Sequence, residues 1–329
     1  MTVPDTHTPP MQVHLTFDIE VWCNGWDDLD GRFAASFERY YYGSSKHGHY
    51  ALPKTLEIMN RHGITGVFFV EPLFSARFGA RHLDTVTKLI ADAGQDIQLH
   101  LHAEWTDELD PAPIADAAHK RQHLTLYTQD EQAALIGFGR KLLEASTGRP
   151  VTAFRAGSFA ANRDTYAALR RQGIVVDSSL NAMADFTGGS IDAVQAPGEQ
   201  RTIDGVTVYP ITVFRDGFGR ARPAQVGASS FDELSQAMLA ARAAGCRHFV
   251  IVSHNFEMLK PGSSEPDWIV VRRFERLCAW LQQHRELFQV GPLPLPQQVR
   301  PVVPIEQRVT VSGWSTAVRH VEQLRRRLG

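Results

Sequence analysis

Residues 13–20 read VHLTFDIE, a run that begins with the pattern of a β-strand and ends in two carboxylates. The stretch from Val13 to Phe17 predicts a first strand. Asp18 and Glu20 are two positions apart, so an extended chain places both on the same side. Two carboxylates that close repel each other unless a cation or a shared proton lies between them. The stretch therefore indicates either a cation site at a strand end or a pair of solvated acids.

A second polar cluster also has its polar residues two positions apart at the end of a predicted strand. Residues 97–104 read IQLHLHAE, which predicts a strand over Ile97–His102. His100 and His102 share one face of this strand, and Glu104 continues that face if the strand persists. Alternating imidazoles at a strand end can present two nitrogen ligands to a metal. The alternative is a pair of hydrogen-bonded histidines in a pocket.

Three further polar residues stand at the ends of predicted strands. Residues 249–255 read FVIVSHN, a short apolar strand that leads to His254. Arg155 and Asp177 end two other short strands. Taken alone, each is equally compatible with an ordinary structural or surface residue. Their shared position at carboxyl ends of successive strands favours one metal-centred site, in which His254 acts as a ligand or as an acid or base.

The rest of the chain alternates short strands with helical patterns. Predicted helices include Pro53–His62, Arg81–Ala93, Asp130–Ser146, Arg163–Gln172, Phe231–Ala244 and Asp267–His284, and predicted strands include Thr65–Val70, Val151–Arg155, Ile174–Asp177 and Val206–Val213. This rhythm predicts βα units around a parallel sheet. Seven or so strands in about 280 residues fit a barrel or a doubly wound sheet.

Two connections are long and rich in aromatic residues. They run over 21–51 and 103–128, and each leaves the carboxyl end of a strand, where parallel α/β folds build their active sites. Their rings belong to Trp22, Trp26, Tyr40, Tyr41, Tyr42, Trp105 and Tyr127. Such rings can stack on sugar faces or form the core of the loop itself.

Composition excludes several classes of protein. The 329 residues include 34 Lys and Arg against 36 Asp and Glu, a net charge of −2, with 43% hydrophobic and 21% charged residues. These values exclude a wholly disordered chain and give no reason to expect a nucleic-acid partner. The cysteines Cys23, Cys246 and Cys278 are too scattered for a disulfide framework or a zinc knuckle. No Gly-rich nucleotide motif, secretory signal or apolar run of about 18 residues is visible, so we expect a cytoplasmic protein without a transmembrane segment.

The predicted organisation has three parts. Residues 1–11 form a disordered N-terminal segment, 12–290 a barrel, and 291–329 a C-terminal extension. The extension is Pro-rich up to residue 304, and Ser315 can then cap a basic amphipathic helix over 316–328. We interpret this helix as one that packs on the barrel, with peripheral contact to an anionic membrane as the alternative.

The order of the polar clusters resembles that of the polysaccharide deacetylase family, also called the NodB homology domain or carbohydrate esterase family four. The resemblance spans roughly 12–290 and rests on five motifs in matching order, at 16–20, 96–100, 154–157, 176–179 and 251–254. It implies a distorted (β/α)7-type barrel and a metal-dependent hydrolase that removes acetyl groups from N-acetylated sugars.

The resemblance also implies a role for each matching residue. Asp18 would be the general base, and Arg155 would hold it through a charged hydrogen bond. His254 would be the general acid, which Asp177 could orient or tune. His100 would be a metal ligand.

Two departures from the family pattern affect the metal ligands. Ile19 stands where the family has a metal-binding Asp, and Glu20 is the obvious replacement. Glu104 stands where the family has its second histidine, and His102 lies between. The ligand set is then Glu20 and His100 with either His102 or Glu104. We favour His102, because imidazole competes well for zinc and alternate residues share a face. Zinc is the expected metal, with Mn, Fe, Co or Ni as alternatives.

These features predict an enzyme that acts on an N-acetylated sugar or polysaccharide precursor. Without an export signal, we expect a cytoplasmic precursor of a surface polysaccharide, such as O-antigen, lipopolysaccharide or capsule. The alternatives are another metal-dependent amidohydrolase, a glycosidase that uses Asp18 and Glu20, or an inactive sugar-binding relative. A glycosidase needs carboxylates about 5 Å or more apart on opposed faces of its substrate, which neighbours on one strand seldom provide. The oligomeric state is not predicted.

Overall fold

A computed structural model of the protein describes residues 9–184, 200–295 and 309–328. In chain order, the strands are β1 Met11–Ile19, β2 Ser44–Ser45, β3 Gly48–His49, β4 Val67–Val70, β5 Asp96–Leu101, β6 Ala153–Ala156, β7 Val176–Asp177, β8 Arg201–Ile203, β9 Val206–Val208, β10 Val213–Arg215, β11 Ala221–Pro223, β12 His248–His254 and β13 Phe288–Val290. The helices are α1 Leu29–Phe37, α2 Leu52–Arg61, α3 Phe74–Phe78, α4 Ala80–Asp92, α5 Gln129–Thr147, α6 Arg163–Arg171, α7 Phe231–Ala243, α8 Trp268–Gln283 and α9 Gly313–Leu328.

One curved sheet organises the molecule. Its strand order is β12-β1-β4-β5-β6-β7-β9-β8, and β13 pairs with the first residues of β1. The pairs are parallel except that of β8 with β9. Helices connect the parallel strands β1, β4, β5, β6 and β7 in turn, as the alternating pattern predicts. The result is a mixed α/β half-barrel, which confirms the predicted distorted barrel of βα units.

The segment that follows β9 runs from β7 to β12, the strand at the other end of the sheet order. The backbone N–H of Tyr209 donates to the carbonyl of Asp177 in β7 (2.8 Å). Three residues later, the N–H of Thr212 donates to the carbonyl of Val250 in β12 (3.1 Å). The chain therefore leaves the sheet here, and the single strand predicted over 206–213 is wrong: β9 and β10 are separate strands.

Both faces of the sheet are buried. The odd-numbered residues of β1, from Val13 to Ile19, pack with the helices in the outer part of the core. The even-numbered residue Thr16 is in register with Val67 and Val252, which belong to a second apolar cluster inside the barrel. Because side chains alternate along a strand, Asp18 and Glu20 also face the interior.

The ends of the chain differ in part from the prediction. Residues 1–8 and 296–308 lie outside the described residues, while Met11, expected in the disordered segment, already belongs to β1. The C-terminal helix begins at Gly313, one turn earlier than predicted. The hydroxyl of Ser312, not that of Ser315, accepts the hydrogen bond of the first turn, from the N–H of Ser315 (3.2 Å). None of the described helices is both long and apolar enough to span a bilayer.

Candidate active site

Six of the polar residues predicted from the strand ends meet inside the barrel at the carboxyl edge of the sheet. They come from four different strands or the residue just after a strand. They are Asp18 and Glu20 at the end of β1, His100 and His102 at the end of β5, Arg155 in β6 and His254 at the end of β12. Parallel strands place their carboxyl ends at the same edge, which explains why residues distant in sequence come together.

Glu20, His100 and His102 form a compact, buried cluster. Oε2 of Glu20 lies 2.6 Å from Nε2 of His102 and 3.3 Å from Nε2 of His100. One possible ligand atom from each residue lies within 4.8 Å of the others. Two imidazoles and one carboxylate are a ligand set that zinc and related divalent metals accept.

The other nitrogen of each imidazole is already engaged. Nδ1 of His100 lies 2.8 Å from the carbonyl oxygen of Arg155, and Nδ1 of His102 lies 3.2 Å from Oε2 of Glu104. Such partners fix the tautomer that leaves Nε2 available to a metal. The cluster therefore fits a divalent metal, with Glu104 orienting His102 from behind. In this arrangement the cluster that could hold a metal consists of Glu20, His100 and His102, and Glu104 contacts it through His102.

The cluster is electrostatically coupled. Burial opposes ionisation of Glu20, but the charge of His102 and hydrogen bonds from both imidazoles hold the pKa of Glu20 well below its usual range. Burial likewise opposes the charge of His102, but Glu20 and Glu104 raise the pKa of His102 well above its usual value. Without a cation, His102 therefore carries the positive charge that balances these carboxylates. A metal that binds here must displace that proton.

Arg155 holds Asp18 beside the cluster. Its Nη1 donates to Oδ1 of Asp18 (2.6 Å), and its Nη2 donates to the hydroxyls of Thr16 (2.8 Å) and Ser178 (2.9 Å). The Nε of Arg155 donates to the carbonyl of Ser178 (3.0 Å), so the guanidinium is fixed at several points. Both Arg155 and Asp18 are buried. One oxygen of Asp18 is thus engaged, and Oδ2 lies on the side of His254, 4.0 Å from its Nε2.

Glu257 orients His254, a role that the sequence did not reveal. Oε1 of Glu257 lies 3.0 Å from Nδ1 of His254, while its Oε2 accepts from the N–H of Gly227 (2.6 Å) and the hydroxyl of Ser253 (3.1 Å). Burial lowers the pKa of His254, but the hydrogen bond and charge of Glu257, with the charges of Glu20 and Asp18, outweigh it and raise this pKa to about 9. His254 is therefore an imidazolium at neutral pH. A carboxylate three residues after a strand-end histidine was the only available signal.

Asp177 does not reach His254. Its carboxylate accepts from the N–H of Ser179 (2.8 Å), the hydroxyl of Ser179 (2.5 Å) and the hydroxyl of Tyr166 in α6 (3.4 Å). In register, Asp177 pairs with Phe154, so it lies on the outer, helix-covered face of the sheet, opposite to Arg155. The role predicted for Asp177 does not fit this position. Burial raises its pKa to about 6.

Asn255 and Trp22 position Glu20, and neither was predicted to do so. The side-chain amide of Asn255 accepts from the N–H of Glu20 (3.2 Å) and donates to its carbonyl (3.1 Å) and to that of Tyr40 (2.6 Å). The indole N–H of Trp22 donates to Oε1 of Glu20 (2.9 Å), and the ring stands edge to face against His102 at 4.8 Å.

The two long connections place a set of aromatic rings on one side of the cluster, in contact with His102 through Trp22. Trp26 stands 6.4 Å from Trp22 and 4.8 Å from Trp105, and Lys120 Nζ lies 3.6 Å from the centre of the Trp26 ring. Trp105 is buried, so part of this set is loop core, while Trp22 and Trp26 keep part of their surface exposed.

A cavity of about 510 Å³ opens beside His254. Aromatic rings of Tyr40 and Phe256 line it, with their centroids 5.0 Å apart. Its charged lining consists of the cations Arg39, Lys260 and Arg326, with Glu257 and His254.

Comparison with known proteins gives similarity in structure but no match to a family model or a curated sequence. A protein from Mycobacterium smegmatis assigned as a polysaccharide deacetylase has a TM-score of 0.56 at 18% identity, over 92% of this chain and 98% of that chain.

Two other solved structures are similar at lower TM-scores. A family 4 carbohydrate esterase from Streptomyces lividans in complex with acetate has a TM-score of 0.43 at 13% identity, over 90% of this chain and 99% of that chain. A family 4 pseudoenzyme from Bacillus anthracis has a TM-score of 0.42 at 15% identity, over 87% and 65%. The similarity to the mycobacterial structure confirms the resemblance at the level of the fold: the chain has the fold of a polysaccharide deacetylase.

Proposed function

We propose that the protein is a metal-dependent deacetylase that hydrolyses the acetamide of an N-acetylated sugar. The observation that carries this proposal is the placement of Asp18 and His254, 4.0 Å apart, next to the cluster of Glu20, His100 and His102. A proton acceptor, a proton donor and a metal-binding set close to one another are the groups that amide hydrolysis needs.

Glu20, His100 and His102 would hold the metal, which supplies a Lewis acid that polarises the acetamide carbonyl. The carboxylate of Asp18, oriented by Arg155, accepts a proton from the attacking water. The new C–O bond forms at the carbonyl carbon while the C–N bond breaks. The imidazolium of His254 gives its proton to the leaving nitrogen, because an amine leaves poorly without one. The products are acetate and a free amino sugar.

The lining of the cavity beside His254 favours a substrate that carries an anionic group. Arg326 is bound to Asp267 (2.6 Å), but Arg39 makes no ion pair within 9–184, 200–295 and 309–328. The one carboxylate in the lining, Glu257, is already engaged with His254. A phosphate beside the sugar ring would complement these cations. A nucleotide-linked or lipid-linked precursor of a surface polysaccharide has this chemistry, and it is the substrate class that we propose.

Acetate release tests the proposal directly. The protein is stripped of metal, reloaded with Zn, Mn, Fe, Co or Ni, and offered free, nucleotide-linked and lipid-linked N-acetyl sugars. We expect acetate and free amine in equal amounts with at least one metal, and none in the presence of a chelator. Activity that survives the chelator would instead favour a metal-independent reaction, and binding of sugar without acetate from any metal form would favour an inactive relative.

Two variants test the residue roles in the same assay. Asp18→Asn should lower kcat by at least about a hundredfold with metal content unchanged, because it removes only the proton acceptor. His100→Ala should lose metal as well as activity. Asp92→Asn, which alters an exposed carboxylate on α4, is the matched control and should change neither. An Asp18→Asn variant with full activity would contradict the proposed mechanism.

A further inference from the structure

The C-terminal helix α9 turns its polar face inward and its apolar face outward. Its inward residues Ser315, Thr316 and Arg319 are buried. Its outward residues Trp314, Val321 and Leu324 have exposed fractions of 78%, 51% and 58%. A surface helix of a globular protein usually has the opposite arrangement, with its apolar stripe against the core.

Polar contacts hold the inward face against the barrel. Nε of Arg319 donates to Oε1 of Glu233 (2.9 Å), and Nη2 donates to Oδ2 of Asp216 (2.9 Å). Further along, Glu322 pairs with Arg273 (2.7 Å). These buried bonds fix the rotation of α9 about its axis, so the outward direction of the apolar residues is not a matter of loose packing.

A neighbouring hairpin enlarges the apolar surface. The turn between β10 and β11 touches the start of α9, because a Cβ added at Gly217 would lie 2.3 Å from Cα of Gly313. Phe218 in this turn is 61% exposed, and its ring lies 5.9 Å from that of His320 on α9. We call Phe218, Trp314, Val321 and Leu324 the α9 apolar patch.

Basic residues border this patch. Arg325 and Arg327 are exposed in the last turn of α9, and Arg220 is exposed in the hairpin. The one acidic residue of α9, Glu322, is engaged by Arg273. An exposed apolar stripe with Trp at one end and Arg at the other has the composition of helices that lie in a membrane interface.

We propose that the α9 apolar patch docks the protein on the surface of an anionic lipid bilayer. Trp314, Val321 and Leu324 would enter the acyl boundary, and Arg325 and Arg327 would contact anionic headgroups. The alternative occupant, a second copy of the chain docked through the same patch, would add further cations but no free acid from α9, because Glu322 is already paired with Arg273. Anionic lipid instead supplies the negative charge that Arg325 and Arg327 lack.

The position of α9 links this surface to the candidate active site. Arg326, in the last turn of α9, lines the cavity beside His254. Docking through α9 would therefore hold this cavity near the membrane surface. The docking proposal itself does not rest on the deacetylase reaction, because vesicle binding is measured without any sugar substrate.

Vesicle sedimentation tests the proposal with the full chain. Vesicles of phosphatidylcholine with phosphatidylglycerol should pellet the protein, and pure phosphatidylcholine should pellet much less. Leu324→Glu should weaken the binding at least about tenfold, because it removes apolar contact and adds a like charge to the lipid. Leu126→Glu is the matched control, since Leu126 is 57% exposed outside the patch, and it should bind as the parent does.

Salt and charge variants complete the test. Replacing Arg325 and Arg327 by Gln should weaken binding to anionic vesicles and reduce its sensitivity to salt. Circular dichroism checks that each variant is folded. Equal binding to neutral and anionic vesicles, or full binding by Leu324→Glu, would overturn the proposal. So would a dimer in analytical ultracentrifugation that Leu324→Glu dissociates while no variant binds vesicles.

Discussion

At the scale of single residues, His254 depends on Glu257 to be a proton donor. Burial alone would lower the pKa of His254, and the hydrogen bond to Glu257 is the largest influence that raises it to about 9. A group with a raised pKa is protonated below that pKa and loses its proton as pH rises through it. The acid form of His254 should therefore be available at neutral pH and disappear above about pH 9.

Glu257→Gln should move the alkaline limb of kcat/KM against pH toward lower pH. The amide keeps the size of the side chain but removes the negative charge that stabilises the imidazolium. The measurement is the pH profile of acetate release by the loaded enzyme. Glu286→Gln, which alters an exposed carboxylate, is the control and should keep the parent profile. An unchanged alkaline limb in Glu257→Gln would show that His254 does not set it.

Alternation along single strands allowed much of the site to be predicted. The spacing of Asp18 and Glu20, and of His100 and His102, correctly places each pair on one face. The relation between strands depends on register, which no local pattern contains. Asp177 shows the consequence, because a register that pairs it with Phe154 places it on the face opposite to Arg155. Glu257 was missed because its position depends on the turn after β12.

At the scale of elements, α9 illustrates a similar limit. The sequence correctly predicts an amphipathic helix with basic residues, and the usual rule places the apolar side inward. The buried partners of Arg319 reverse that rule, and they belong to distant elements: Glu233 to α7 and Asp216 to the turn after β10. Which face of α9 turns inward is thus determined by tertiary contacts, and the periodicity of the helix sequence alone cannot predict it.

Arg319→Met should destabilise the fold by about 3–5 kcal/mol, because it leaves two buried carboxylates without their cation. Both Glu233 and Asp216 are almost fully buried, so water cannot replace the guanidinium. Urea unfolding measures the loss. Arg325→Met on the exposed side of the same helix is the control, and it should change the free energy of unfolding by less than about 0.5 kcal/mol. Equal effects of the two substitutions would contradict the inward orientation of the polar face.

At the scale of the whole molecule, two histidines connect the first strand of the chain, β1, with the last two, β12 and β13. Nε2 of His14 in β1 lies 3.1 Å from Nδ1 of His248 in β12, and Nδ1 of His14 lies 3.0 Å from the carbonyl of Gly291 after β13. Burial lowers the pKa of His14 to about 4. Burial, with the charge of His14, lowers that of His248 to about 3. Both imidazoles are therefore neutral in the folded protein near neutral pH.

This pair predicts acid sensitivity. Below about pH 6.5 both imidazoles are protonated in the unfolded chain but not in the folded protein. The free energy of unfolding therefore decreases as the pH is lowered, until the pKa values of the folded protein are reached. His248→Gln should reduce the slope of that free energy between pH 6 and pH 5 by up to about 1.4 kcal/mol per pH unit. His119→Gln, at an exposed histidine, is the control and should leave the slope unchanged. Urea unfolding between pH 5 and pH 6 measures these slopes. A slope that His248→Gln leaves unchanged would contradict the role of this pair in acid sensitivity.

Metal binding should also be a property of the whole fold, because its ligands come from strands that are not neighbours. Glu20 follows β1, and His100 and His102 come from β5, with β4 between them in the sheet. A metal that binds only the folded chain stabilises it by about 2.7 kcal/mol when the free metal concentration is a hundred times the dissociation constant.

Zinc should therefore raise the Tm of the protein above that of a chelator-treated sample. The gain should shrink as pH falls, because the proton on His102 competes with the metal. His100→Ala should abolish the gain and His119→Ala should keep it, whereas a zinc effect that persists in His100→Ala would place the metal elsewhere.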